Sequence, residues 1–347
     1  MSHPYRELVL RSDALDVTLL PDKGCDVLRV RHRASETDVL FVTPWADAPA
    51  PVAPAPADTA RAWLTAYRGG WQVLLPNAGP GRTVDGVALG FHGEAALVPW
   101  RELAVGPDRA VLETRLVTAP LHVHREVVLD GGVLRLTETV TNDAPDPRTV
   151  AWLHHPALGA PFLEEGCRLT TGARTVIADP EAPGTLLAAG SRHAWPVVRA
   201  VDGAEVDLRR VPGPGERREV FAALTDFASP FAAVVNPRRG LGVGLRWSAD
   251  VFPHAWLWQE VHATTGFPWF RRAYVLAVEP VERAVGTARR RRAVARRGDR
   301  PRGRGGLHRG AGAGGRRGRR RDRRGPPRRR GHLAEPGSVI EDAKVAT

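Results

Sequence analysis

Two segments of this 347-residue chain carry side chains that could transfer a proton. In residues 152–156, WLHHP, the proline holds His155 in an extended conformation, which suits an imidazole in a fixed position. In residues 274–280, YVLAVEP, Glu279 ends an apolar run, where burial without a partner would raise the pKa of the carboxyl group and suit a general base. An exposed carboxylate at the end of a strand is the alternative interpretation of Glu279.

The adjacent histidines His154 and His155 point to opposite faces if residues 152–156 form a strand. At most one of them then enters a given pocket. A metal pair with His122 and His124, which share a face, is a competing interpretation, but no carboxylate lies at ligand spacing. We therefore predict no metal and no other cofactor.

Two glycine-containing segments are further candidates for contact with a ligand. In Arg68-Gly69-Gly70, the glycines allow the backbone to approach a ligand and the arginine can donate paired hydrogen bonds. An ordinary turn with a solvated arginine is the other interpretation. His92, which precedes a glycine in FHGE, either hydrogen-bonds a ligand hydroxyl or serves as a structural histidine.

The elements that must position these residues are strands. Alternating runs predict two antiparallel hairpins, over residues 15–32 and residues 121–142, and several more strands follow between residues 231 and 280. Helical periodicity is hard to find. Many short strands with frequent turns predict an all-β sandwich or barrel, with a proline-rich surface loop over residues 46–60.

The formal charge of +12 suggests an anionic partner, but it is unevenly distributed. Residues 283–330 contain 21 arginines and two aspartates, a net charge of +19, whereas residues 331–347 carry −2 and residues 1–282 carry −5. Every Trp, Phe and Tyr lies in residues 1–282. The arginine-rich region therefore lacks the aromatic side chains from which a hydrophobic core could form. We predict one all-β domain over residues 1–282 and a disordered tail over residues 283–347.

The composition of the tail indicates its origin. Between residues 288 and 330, 38 of 43 residues are Arg, Gly, Pro or Ala, whose codons begin with two G or C bases. Our hypothesis is a shift of reading frame near residue 282. A genuine disordered basic arm, which would bind nucleic acid non-specifically and in a salt-dependent manner, is the alternative.

The cysteine content and hydropathy limit the cellular setting. Cys25 and Cys167 are too few for a disulfide framework, and we predict that both are reduced and buried. No window approaches the roughly 18 apolar residues of a membrane helix, and the first residues show no apolar leader. We expect a cytoplasmic protein without a membrane partner.

Taken in order, five segments resemble the galactose mutarotase-like superfamily, which includes aldose 1-epimerases and hexose-6-phosphate epimerases. The segments are VTLLPDKGCDVLRV, RGG, FHGEAALVPW, HHP and LAVEP. The resemblance implies a β-supersandwich with a cleft for a small-molecule sugar.

The resemblance also implies roles for single residues. Glu279 would take the proton from the anomeric hydroxyl while His155 protonates the ring oxygen, with acid and base on opposite sides of one pyranose and no metal or redox cofactor. The residues implied to contact the sugar or its phosphate are Arg68, His92, His154, Trp258 and Trp269. The implied function is an aldose 1-epimerase-like isomerase. A non-catalytic carbohydrate-binding or sensing protein on the same fold is the alternative, because a fold does not establish chemistry.

The reading-frame hypothesis predicts that resequencing the gene will find an inserted or deleted base close to codon 282. Mass spectrometry of the native protein provides the second measurement. An uninterrupted frame together with peptides from residues 283–347 would contradict the hypothesis and support the basic arm. Deleting those residues should then abolish binding to DNA.

Overall fold

The computed structural model describes residues 4–50 and 58–283, and the backbone of residues 339–341. The described part contains one α-helix, α1 (Thr59–Ala66), and a short 3-10 helix (Pro214–Glu216). Its strands are β1 (Leu8–Arg11), β2 (Leu15–Leu20), β3 (Asp26–His32), β4 (Thr37–Asp38), β5 (Trp71–Leu74), β6 (Arg82–Val84), β7 (Val87–Leu89), β8 (Arg101–Val105), β9 (Arg109–Arg115), β10 (Leu121–Asp130), β11 (Val133–Asn142), β12 (Leu153–Gly159), β13 (Arg168–Thr171), β14 (Thr175–Ala178), β15 (Arg192–Ala194), β16 (Val197–Arg199), β17 (Glu205–Asp207), β18 (Arg218–Thr225), β19 (Phe231–Asn236), β20 (Leu241–Arg246), β21 (His254–Val261), β22 (Tyr274–Val281) and β23 (Val339–Glu341).

Most of these strands belong to two large sheets. The first sheet has the spatial order β1-β2-β3-β5-β12-β22-β21-β18-β14-β15, with β4 paired to β3. The second has the order β13-β19-β20-β23-β11-β10-β9-β8. The all-β sandwich predicted from the sequence is confirmed.

Both predicted hairpins are present with the expected register. Asp130 pairs with Val133 across a two-glycine turn, and β10 continues in antiparallel register with β11 to its first residue. Side chains of β10 alternate between buried and half-buried positions, as the apolar pattern predicts for a strand with one face in the core. In the other hairpin, β2 pairs with β3, with a register shift between Thr18 and Leu19.

Apolar side chains cover both faces of the first sheet. On its inner face they pack against the second sheet in one large core cluster, which includes Val73, Leu276 and Val278. On its outer face a second cluster includes Leu74 and Ala277 together with side chains from α1. The outer face is therefore covered as well, and a site on it can exclude water.

Helix α1 is absent from the sequence prediction, which has a proline-rich loop over residues 46–60. Residues 51–57 of that loop lie outside the described part of the structure, and the helix begins at Thr59, inside the predicted loop. Asp58 caps it, because its carboxylate accepts a hydrogen bond from the Arg61 amide at 2.8 Å. With eight residues, α1 is too short to be stable alone, so its packing on the first sheet must hold it.

The predicted disordered tail lies outside the described residues, except for Arg283 and β23. That three-residue strand lies between β20 and β11 and runs parallel to both. The domain boundary at residue 282 stays a prediction. Cys25 and Cys167 are free and buried, as predicted, and burial raises the pKa of Cys25 to about 11. No helix in the described ranges is long and apolar enough to cross a membrane.

One buried ion pair joins the two sheets. Arg125 on β10 donates a hydrogen bond of 2.6 Å to Glu138 on β11 and another of 2.6 Å to the carbonyl oxygen of Cys25, next to the first sheet. Both charged side chains are almost fully buried. Burial raises the pKa of Glu138, but the charges of Arg125 and His154 outweigh it and bring the pKa to about 2.

We expect Glu138→Gln to lower the free energy of unfolding by about 3–5 kcal/mol, because Arg125 would stay buried without its counter-charge. Urea unfolding near neutral pH measures the change. The control is Glu126→Gln, which breaks a surface pair with Arg109 whose side chains are 32% and 58% exposed, and it should cost less than about 1 kcal/mol. Equal losses for the two variants would contradict the inter-sheet role.

The pKa of Glu138 lies below its unfolded-state value of 4.5, so its contribution to stability has a definite pH dependence. The contribution is fully present above that value and is lost as the pH falls toward 2. The stability difference between wild type and Glu138→Gln should therefore shrink over this acidic range.

Candidate active site

Four polar side chains lie next to one another on the outer face of the first sheet. Gln72 on β5 pairs directly with His155 on β12. Asp26 begins β3 beside Gln72, and the pairing of β12 with β22 places Glu279 opposite His155. We call Asp26, Gln72, His155 and Glu279 the polar row. It crosses four neighbouring strands, and all of its members are buried.

His155 and Glu279 form the half of the polar row that contains the two candidate proton-transfer groups. The His155 Nε2 and Glu279 Oε1 atoms are 3.4 Å apart. Burial lowers the pKa of His155 to about 4, with a further lowering from the charge of Lys23, and burial raises the pKa of Glu279 well above its usual value. These two residues, separated by 124 positions in the sequence, are brought together by the pairing of β12 with β22.

The expected placement of acid and base on opposite sides of a pyranose does not match this geometry. A separation of 3.4 Å leaves no room for a sugar ring between the two side chains. They stand side by side on adjacent strands, so a ligand must approach both from the same side.

The other half of the polar row contains a buried ion pair. Lys23, in the turn between β2 and β3, donates a short hydrogen bond to Asp26 Oδ2. Gln72 donates from Nε2 to the same oxygen at 3.1 Å and to the carbonyl oxygen of Gly69 at 2.6 Å. Burial raises the pKa of Asp26, and the charge of Lys23 opposes this effect.

Aromatic side chains cover the polar row. Trp63 of α1 and Tyr67, just after it, are stacked at 5.1 Å, and their ring centroids lie 6.4 and 5.6 Å from that of His155. The ring centroid of Trp258 lies 5.6 Å from that of His155 and 5.4 Å from that of Trp269. Both predicted sugar platforms, Trp258 and Trp269, therefore lie at the site.

His92 lies behind this aromatic cover. Its ring is 4.5 Å from that of Trp63 and 6.4 Å from that of His155. The backbone amide of Gly79 donates to its Nδ1 at 2.9 Å, which leaves the ring proton on Nε2. His92 is thus near the site, with one donor available.

Arg68 does not reach the polar row. Its guanidinium donates hydrogen bonds to the carbonyl oxygens of Trp45 at 2.7 Å and Pro49 at 3.0 Å, in the segment before α1. The following glycines serve the fold, because a Cβ at Gly69 would lie 2.1 Å from the Phe41 carbonyl oxygen. The sequence predicts that these glycines let the backbone approach a ligand. In the structure, they let it approach a neighbouring segment of backbone instead.

His154 lies on the opposite face of β12 from His155, as the strand pleat requires. Its Nδ1 accepts a hydrogen bond from the Trp71 indole at 3.2 Å, and its Nε2 lies 3.3 Å from Glu138, without the alignment of a hydrogen bond. The structure therefore places His154 between the sheets, on the opposite face from the polar row.

Several buried polar atoms at the site have no hydrogen-bond partner within the described residues. They are Asp26 Oδ1, Gln72 Oε1, His155 Nδ1, the Tyr67 hydroxyl and Trp63 Nε1. Burying such groups unpaired is costly, and a cluster of them on one face indicates a surface built to contact a polar ligand.

Sequence reasoning missed Lys23, Asp26, Gln72, Trp63 and Tyr67. Signals for three of them are present: Lys23 is one of only two lysines among 50 basic residues, and Trp63 and Tyr67 stand four residues apart, at helical spacing. Asp26 and Gln72 carry no local signal, because only the pairing of β3, β5 and β12 brings them beside His155.

Comparison with known proteins adds a family and a fold. A family model described as a domain of unknown function, DUF4432, matches residues 5–299. No curated protein matches the sequence.

Solved structures show the same fold at low sequence identity. The chain resembles a galactose mutarotase related enzyme from Lactobacillus acidophilus, with a TM-score of 0.56 and 13% identity, covering 80% of this chain and 85% of the other. A galactose mutarotase-like protein from Clostridium acetobutylicum has a TM-score of 0.56 and 14% identity, with 81% and 86% covered. The Slr1438 protein from Synechocystis sp. PCC 6803 has a TM-score of 0.57 and 18% identity, with 81% and 88% covered. The galactose mutarotase-like fold is confirmed.

We expect an NMR titration of the His155 ring to have its midpoint at a pH of about 4. Because the pKa of His155 is lowered in the folded protein, its contribution to stability is fully present above the ordinary value of 6.5 and is lost as the pH falls toward 4. The variant His155→Asn identifies the signal by its loss. A midpoint close to 6.5 would show that the ring is solvated and not covered by Trp63 and Tyr67.

Proposed function

The chain belongs to the DUF4432 family, and we propose that it is an aldose 1-epimerase-like isomerase that interconverts the anomers of a sugar or sugar derivative. The observation that carries the proposal is the buried pair of His155 and Glu279, 3.4 Å apart, within a polar row that aromatic side chains cover. The fold shared with galactose mutarotase-like proteins supports a sugar as the ligand.

The side-by-side geometry suits ring opening of an aldose. The anomeric oxygen and the ring oxygen are both bonded to C1, so they are neighbours on one edge of the sugar. One member of the His155–Glu279 pair removes the proton from the anomeric hydroxyl while the other protonates the ring oxygen. The C1 carbonyl forms as the bond from C1 to the ring oxygen breaks, and reclosure on the other face of C1 returns both protons.

The protonation of the pair fits this chemistry over a wide pH range. Between a pH of about 4, where His155 begins to accept a proton, and the raised pKa of Glu279, the two groups together hold one proton. One proton is what the reaction needs, because one group must act as an acid while the other acts as a base. Below this range no base remains, and above it no acid remains.

The aromatic side chains and the remaining polar groups support binding. Trp258 and Trp269 offer ring faces to the apolar face of a sugar, and His92 offers the Nε2 proton to a hydroxyl. Arg68 and His154 are left out of the proposed binding set. The Arg68 guanidinium donates to the segment before α1, and His154 lies on the inner face of the first sheet. The cytoplasmic location and the nucleic-acid affinity of the tail stay predictions.

A non-catalytic sugar-binding protein is the second candidate. The galactose mutarotase-like fold is compatible with it, because a fold does not establish chemistry. Measurement of turnover separates the two.

We expect wild type to accelerate anomer interconversion of an aldose, and Glu279→Gln and His155→Asn each to reduce that rate by at least about 100-fold, the usual size of a lost acid–base contribution. Polarimetry or NMR exchange on D-glucose, D-galactose, D-mannose, D-xylose and L-arabinose measures the rate, and thermal shift measures binding. Glu126→Gln, the same change on the second sheet, is the control and should keep the wild-type rate.

The outcomes separate the candidates. Sugar-dependent stabilisation without acceleration by wild type would refute the isomerase and support the binding protein. If no sugar in the panel stabilises the fold or reacts, the carbohydrate proposal itself fails.

A further inference from the structure

The half of the polar row that contains Asp26 and Gln72 has no part in the proton transfer described above, yet it is the more deeply buried half. Both side chains have 0% exposure, and Lys23 beside them has 2%. A charged pair and an amide in such a place are costly to the fold unless their hydrogen-bonding groups are used. Two of those groups, Asp26 Oδ1 and Gln72 Oε1, have no partner among the described residues.

The orientation of the Gln72 amide follows from its neighbours. Its Nε2 lies 3.1 Å from Asp26 Oδ2 and 2.6 Å from the carbonyl oxygen of Gly69. Both of these atoms are acceptors, so the amide nitrogen must face them and the amide oxygen must face away. Gln72 Oε1 therefore has no hydrogen-bond partner among the described residues, on a residue that pairs across the strands with His155.

Asp26 offers a second acceptor of the same kind. Its Oδ2 receives hydrogen bonds from Lys23 and Gln72, whereas its Oδ1 receives none from the described residues. Burial raises the pKa of the Asp26 carboxyl group, whereas the charge of the neighbouring Lys23 opposes this effect and favours the ionised form. Lys23 in turn has three donors and uses one of them on Asp26.

We propose that Lys23, Asp26 and Gln72 form a hydroxyl-binding subsite that selects ligands with two neighbouring hydroxyl groups. One hydroxyl donates to Asp26 Oδ1 and accepts from Lys23, and the next donates to Gln72 Oε1. A hydroxyl group can donate once and accept as well, so it matches an acceptor beside an ammonium. The proposal rests on the proposed function, because it names the sugar hydroxyls that the same site recognises.

The position of the subsite fixes which part of the ligand it contacts. Gln72 lies between Asp26 and His155 on adjacent strands, whereas Glu279 lies on the far side of His155. A sugar whose C1 edge meets His155 and Glu279 therefore extends its other carbons toward Gln72 and Asp26. The subsite recognises hydroxyls remote from C1.

The test is a cycle that combines protein variants with deoxygenated sugars. The probe is whichever of D-glucose and D-galactose stabilises wild type more, together with its 2-deoxy, 3-deoxy, 4-deoxy and 6-deoxy analogues. Affinity is measured by calorimetry on wild type, Asp26→Asn and Gln72→Leu. The second variant leaves the Lys23–Asp26 pair intact, so the test survives if Asp26→Asn does not fold.

We expect removal of one particular hydroxyl to weaken binding to wild type by about 10- to 100-fold, the usual size for a hydrogen bond to a charged or buried group. The same removal should weaken binding to Asp26→Asn or Gln72→Leu by less than about threefold, because the partner is already lost. Gln259→Leu is the matched control: Gln259 is buried on the inner face of the same sheet, where it accepts from Arg218 at 2.8 Å. This control should keep the wild-type discrimination.

If the loss of affinity caused by a variant and the loss caused by a missing hydroxyl simply add for every analogue, the subsite proposal is overturned. Asp26 and Gln72 then support the fold only. With additive losses and normal turnover, the proposed isomerase stands while the subsite fails. If neither D-glucose nor D-galactose binds wild type, the subsite proposal is overturned, whereas the proposed isomerase stands as long as another sugar of the five reacts.

Discussion

The pleat of a single strand, β12, is the constraint on which the rest of the site depends. His154 and His155 are neighbours in the chain, and the pleat sends their side chains to opposite faces of the first sheet. His154 is fixed between the sheets by the Trp71 indole and lies against Glu138. A slip of β12 by one residue would exchange the two rings and bring a different imidazole to Glu279, so the interior contacts of His154 specify the register that the outer face needs.

The two faces of the first sheet differ in the neighbours of their buried polar groups. Between the sheets, Arg125 and Glu138 are matched in charge and tied to the backbone near Cys25, which makes them a rigid connection. Glu138 Oε2 has no hydrogen bond within the described residues, but the His154 ring lies 3.3 Å from it. On the outer face, Asp26 and Gln72 each leave one acceptor without a hydrogen-bond partner in the described ranges, and these acceptors lie on the same face as His155 and Glu279.

The sequence predicts features formed by adjacent residues well. It predicts contacts between residues far apart in the chain only through family resemblance. The β10–β11 hairpin follows from an alternating pattern and a two-glycine turn, both confined to adjacent residues. His155 and Glu279 were paired by family resemblance, since nothing local relates positions so far apart. The direction of Arg68 depends on two carbonyl oxygens of a preceding segment, and no pattern in its own surroundings shows that they will be within reach. Helix α1 was missed because eight residues after a proline-rich segment carry too little periodicity to compete with a loop prediction.

The aromatic cover has a consequence for the timing of the proposed reaction. Trp63 and Tyr67 are 2% and 1% exposed, and they lie against the ring of His155. A ligand can reach the polar row only after these rings move, so its association rate is set by the frequency of that opening and falls below the limit set by diffusion. The same rings also slow the dissociation of a bound ligand. An open-chain aldehyde formed beneath them would be retained until it recloses, shielded from water and from other nucleophiles.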